Sequence, residues 1–128
     1  MLFDDIYWHD GQIRGLSLEY IEGMKMPYLF VLKADVYMND EYINSEIKIH
    51  RTKITVNFSN VVSFVISGNI MEMIENFNAG NISTAYRKGK GAIKNKIYKN
   101  EKYRYIFNLF GGYVEICAKD IEIERAES

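Results

Sequence analysis

Apolar and polar side chains alternate in steps of two along most of this 128-residue chain, and a single proline interrupts it. A two-residue period puts one set of side chains on each face of a β-strand, so the pattern predicts strands with one covered and one wet face. In Gln12 to Glu22, Leu16, Leu18 and Tyr20 fall on one side and Ser17 and Glu19 on the other. Ile13 is out of phase with Leu16, and the break falls at Arg14-Gly15, where a glycine inside a strand pattern predicts a bulge. Residues 22–27 hold the proline and a glycine and predict a hairpin connection. Tyr28 to Met38 is the clearest strand of the N-terminal half, with Phe30, Leu32, Ala34, Val36 and Met38 on one face and Lys33 and Asp35 on the other.

Asn39-Asp40-Glu41 has turn composition, which separates that strand from Glu46 to Phe58 in this reading. Val61 to Ile66 then reads as a further strand with both faces partly covered. After residue 68 the period changes. Ile70, Met73, Ile74 and Phe77 share one stripe at helical spacing, Asn69 supplies an N-cap, and Asn78 or Gly80 an end, so a short helix is expected over 69–79. Ile93 and Ile97 suggest another strand leading into Tyr103. Gly111-Gly112 lies between two alternating runs and predicts a two-residue hairpin turn. With Phe110 paired to Tyr113, Leu109 meets Val114, Phe107 meets Ile116 and Tyr105 meets Ala118, giving one apolar face. Ile121 and Ile123 extend the last strand. The expected architecture is mainly β (α+β), a bent antiparallel sheet or two-layer sandwich of about seven to nine strands with one short helix.

Composition bounds the function. The length suits one domain spanning 1–128, and 48% hydrophobic with 26% charged residues argues against disorder. Sixteen Lys plus Arg against seventeen Asp plus Glu give a formal charge of -1, which supplies no global field for nucleic acid or an anionic membrane. Cys117 is the only cysteine, so no internal disulfide forms. Together with an N-terminus unlike a signal peptide, this predicts a reducing, cytoplasmic setting. No apolar run is long enough to span a membrane.

Positive charge is nonetheless segregated. Residues 87–104 carry eight bases against one acid, Glu101. One reading is a phosphate-tracking strip using Lys88, Lys90, Lys94, Lys96 and Tyr98; the other is a solvated pair of strands whose lysines guard a sheet edge. Lys88-Gly89-Lys90-Gly91 lacks the full phosphate-loop pattern and reads as a hairpin tip. His9 and His50 are the only histidines. With a carboxylate they would make a general base or metal site, but no spacing brings them together, and no catalytic, metal or cofactor motif is assigned. Trp8-His9-Asp10-Gly11 is instead expected to form a structural corner, with the indole in the core and the imidazole bonded to backbone. Asp40, Glu41, Glu46, Glu72 and Glu75 are the acids most suited to a surface for a basic partner.

The run Trp8-His9-Asp10-Gly11-Gln12-Ile13, followed by Leu16-Ser17-Leu18-Glu19-Tyr20, resembles small bacterial domains that open with an aromatic-His-Asp corner and continue as a β-rich meander. Phe58-Ser59-Asn60-Val61-Val62 and Gly112-Tyr113-Val114-Glu115-Ile116 follow the same pattern. Several such domains are similar to immunity proteins of polymorphic toxin and contact-dependent growth inhibition systems. The resemblance implies a non-enzymatic, cytoplasmic protein that binds and neutralises a cognate toxin domain, often a basic nuclease, and it transfers no catalytic residues. The basic 87–104 segment departs from a simple acidic inhibitor; it would face away from the toxin or meet an acidic region on it.

Overall fold

The alternating segments pair with one another in a computed structural model that describes residues 2–43, 46–68, 81–88 and 103–125. Six strands form one antiparallel sheet: β1 (Tyr7–Tyr20), β2 (Tyr28–Ile43), β3 (Glu46–Gly68), β4 (Ile82–Lys88), β5 (Tyr103–Leu109) and β6 (Gly112–Arg125). Their spatial order is β1-β2-β3-β6-β5-β4. The sheet curls into a half-barrel, the bent-sheet form of the expected architecture. Its two outer strands approach each other, since Gln12 of β1 forms an isolated bridge to Asn81, just ahead of β4. A single 3-10 turn, Phe3–Asp5, precedes β1. The helix expected over 69–79 and the strand expected around Ile93 and Ile97 lie outside the described residues.

Curling gives the sheet an inner face, and alternation decides what fills it. Phe30, Leu32, Ala34, Val36 and Met38 of β2 face Ile54, Val56 and Phe58 of β3, and Tyr105, Phe107, Val114, Ile116 and Ala118 close the other side. Phe3 plugs this core, its ring centroid 5.0 Å from Trp8, 5.4 Å from Tyr105 and 5.9 Å from Phe107. The edge-to-face contacts of Phe3 with Tyr105 and Phe107 add to the stabilisation from area buried.

Three expectations need correction. First, Asn39-Asp40-Glu41 is not a turn. β2 continues to Ile43, with Glu41 opposite Lys48, Tyr42 opposite Ile47 and Ile43 opposite Glu46, and a register shift between Met38 and Glu41 absorbs the turn-forming residues as a bulge. Second, Glu46–Phe58 and Val61–Ile66, expected as two strands, are one, so three strands among the described residues precede residue 69. Asn60 takes φ 52°, and the register shifts between Val61 and Ser63, so a kink replaces the expected break. Third, the β5–β6 register differs by two residues: Leu109 meets Gly112, Phe107 meets Val114 and Tyr105 meets Ile116. Cys117 accordingly stands opposite Arg104. The reason is Gly112, which belongs to the strand and not the turn. A Cβ there would fall on the Ser67 carbonyl oxygen and 2.8 Å from Gly68 Cα, so the close approach of β3 and β6 requires glycine at this point. A shift of two preserves side-chain parity, and the inner face is therefore as expected.

Candidate interaction surface

The corner at the start of β1 has the predicted structural role. Trp8 is buried and donates its indole N–H to the Phe3 carbonyl at 3.0 Å. His9 donates from Nδ1 to the Ser83 carbonyl at 2.9 Å, because a carbonyl oxygen only accepts, and this bond ties β1 to β4 across the seam of the half-barrel. Asp10 has φ 63°, and between Tyr7 and Gln12 the strand advances while its partner moves only from Tyr37 to Asp35. The surplus residues form the corner. Arg87 of β4 reinforces the same seam through Asp4 at 3.3 Å. His50 lies opposite Met38 in the β2–β3 ladder, two strands from His9, so nothing in the register brings the two histidines together. Among the described residues no group of three or more His, Cys, Asp and Glu side chains is arranged to hold a metal.

The inner face does not end where the core ends. Leu18 stands opposite Phe30 and Tyr20 opposite Tyr28, so the β1–β2 hairpin carries the inner-face pattern outward to its tip. Phe30 is buried, yet its neighbours are not: Leu18 is 44% exposed, Tyr20 64% and Tyr28 48%. The kink at Asn60 swings the far half of β3 so that Phe64 packs on Phe30 with ring centroids 5.2 Å apart, while Phe64 itself is 41% exposed and Ile66 52%. β2 pairs with β3 only as far as Phe58, and β6 pairs with β3 through Gly68. Among the described residues, therefore, one edge of Val61–Gly68 has no neighbouring strand. The result is a rim of Leu18, Tyr20, Tyr28, Phe64 and Ile66 around buried Phe30, beside a stretch of β3 that pairs with β6 and not with β2. Exposed apolar groups gathered in this way, rich in aromatics, characterise protein-binding surfaces.

Of the acids expected to bind a partner, Asp40, Glu41 and Glu46 share the end of the β2–β3 hairpin remote from the rim, with Glu41 opposite Lys48. Glu72 and Glu75 lie outside the described residues, as do Lys90, Lys94, Lys96 and Tyr98 of the basic strip. Lys88 ends β4, its ammonium 5.8 Å from the Tyr86 ring centroid. Arg87 is committed to Asp4 and to the Tyr103 ring at 4.9 Å, which ties the start of the basic segment to structural work in the seam.

One charged group stands out that sequence reading passed over. Asp35 is buried on the outer face of β2, and its Oδ2 accepts from Arg14 Nε at 2.8 Å, with Arg51 at 4.0 Å. Alternation places Asp35 outward, and the Arg14-Gly15 break predicts a bulge; only the three-strand register joins the two observations. Arg14 is the extra residue between Ile13, opposite Ala34, and Gly15, opposite Lys33, and the bulge aims its side chain at Asp35.

No protein-family model matches this chain, and no curated protein matches it. No helix among the described residues is long and apolar enough to cross a membrane.

Proposed function

We propose that this protein is a non-enzymatic immunity protein of the polymorphic toxin or contact-dependent growth inhibition type, which acts in the bacterial cytoplasm by binding and blocking a cognate toxin domain, a nuclease among the candidates. The observation that carries the binding part of this reading is the apolar rim, where Leu18, Tyr20, Tyr28, Phe64 and Ile66 stay exposed around an otherwise buried aromatic core. Large aromatic and aliphatic side chains held by a rigid sheet make effective anchors, since little conformational entropy is lost when they are covered. The toxin part rests on the resemblance at Trp8 to Ile13 and the meander that follows. In this reading the rim supplies affinity, and the acids at the β2–β3 hairpin end, Asp40, Glu41 and Glu46, together with Glu72 and Glu75, speed association with a basic partner.

The test is capture of tagged protein co-expressed with the C-terminal domain encoded by the neighbouring gene. A stoichiometric complex is expected, and reversing Asp40, Glu41 and Glu46 to lysine should slow association more than it hastens dissociation. Recovery of nucleic acid alone, with affinity falling steeply as salt rises, would replace this function with a nucleic-acid-binding module using the basic 87–104 segment.

A further inference from the structure

The outer face of β1, β2 and β3 holds a second constellation, separate from the rim. Here a depression of about 350 Å³ has Arg14, Lys33, Asp35, Lys53 and Thr55 as its polar lining, with Ala34 and Ile54 completing it. Lys33 stands across the ladder from Thr55, and Lys53 across from Asp35. The two lysines are thus diagonal neighbours on one sheet face, a spacing of about 7 Å between Cβ atoms. Among the described residues neither lysine makes an ion pair. Arg14 differs, because Asp35 holds its Nε at 2.8 Å and neutralises it. Asp35 therefore acts as a positioning residue: it fixes the guanidinium at the wall and leaves the two ammonium groups as the uncompensated charge. Glu124 of β6, opposite Thr55, bounds the cationic area on its far side.

Two free ammonium groups, a fixed guanidinium and a threonine hydroxyl around an open depression match an anion with two charges and several acceptor oxygens. A carboxylate would engage one lysine and leave the other uncompensated. We propose that this basin binds a dianionic phosphate group, either free or as a phosphomonoester. The proposal goes beyond toxin binding and does not depend on it.

The test is a titration of the full chain followed by amide 1H–15N spectra, with inorganic phosphate in one series, adenosine 5′-monophosphate in a second and sodium chloride at matched ionic strength in a third. Saturable shifts centred on Lys33, Lys53 and Thr55 are expected with phosphate and absent with chloride. Lys33→Met and Lys53→Met are each expected to weaken binding about tenfold, the loss of one charge-assisted hydrogen bond. Both side chains are exposed and make no ion pair among the described residues, so these variants should keep the parent spectrum elsewhere. Equal affinity for both ligands would assign recognition to the phosphate alone; tighter binding of the nucleotide would assign a phosphomonoester. Shifts that fail to saturate, that chloride reproduces, or that survive in the Lys33→Met/Lys53→Met double variant would overturn the proposal.

Discussion

Replacing Asp35 by asparagine keeps the size of the side chain and removes the charge that pairs with Arg14 and faces Arg51. A charge-assisted hydrogen bond in a buried setting contributes about 1.5–3 kcal/mol. The Asp35 side chain is 10% exposed, which favours the upper part of that range, but Arg14 is 56% exposed, which pulls the pair toward the surface limit of about 0–1 kcal/mol. Their coupling should therefore be about 1 kcal/mol. The two single variants should differ in cost. Arg14→Gln leaves the carboxylate facing Arg51 at 4.0 Å, whereas Asp35→Asn leaves both guanidinium groups with no central anion. Asp35→Asn is thus expected to cost about 2 kcal/mol and Arg14→Gln about 1 kcal/mol. Urea unfolding of the parent, both singles and the double closes the cycle, with an unchanged m-value as the check that the unfolded state is the same. In thermal melts, Asp35→Asn should lower Tm by about 5–10 °C for a domain of this size. A coupling under about 0.3 kcal/mol, within ordinary additivity, or an Asp35→Asn variant as stable as its parent would refute the reasoning.

Two further outcomes follow from local geometry. Burial raises the Tyr105 phenol above its ordinary value of 10.0, against an opposing effect of Arg87. The folded state then holds this proton while the unfolded chain releases it, so stability is complete below pH 10 and falls as pH rises through the folded value, by at most about 1.4 kcal/mol per pH unit from this group. Melting curves of Tyr105→Phe should show a shallower alkaline decline than the parent, and an identical decline would contradict the assignment. At Gly112 an added Cβ meets only backbone, so Gly112→Ala should cost about 1–3 kcal/mol by forcing β3 and β6 apart. Gly15→Ala meets nothing closer than Lys33 Cβ at 3.9 Å and should be close to neutral in the same melts; equal costs at the two positions would be the wrong result.

What was legible in the sequence divides along physical lines. Alternation assigns faces, and the faces of Phe30 to Met38, of Phe107, and of Ile123 stand as read, as does the bulge at Arg14. Alternation is blind to shifts of two, which is why the β5–β6 register was misplaced; contact of Gly112 with the neighbouring strand decided it, a tertiary fact absent from the two paired runs. Asn39-Asp40 has turn chemistry, but a bulge uses the same residues, and the pairing of Tyr42 with Ile47 beyond it favoured continuing the strand. The rim was missed for a different reason. Leu18, Tyr20 and Phe64 follow the core pattern, and only the extension of the β1–β2 hairpin and the kink at Asn60 leave them uncovered. Asp35 and its cations come from three strands, so no single segment displays the basin.

The proposed function is tested most directly by growth rescue. Cells expressing the neighbouring gene's C-terminal domain are supplied with the parent protein or with a Tyr20→Ser/Ile66→Ser variant, both changes lying on exposed rim positions compatible with an intact fold. The parent is expected to restore growth and form a stoichiometric complex, and the variant to lose both while keeping its melting temperature. Full rescue by the variant would remove the rim from the binding surface, and failure of the parent to bind or rescue would contradict the immunity reading itself.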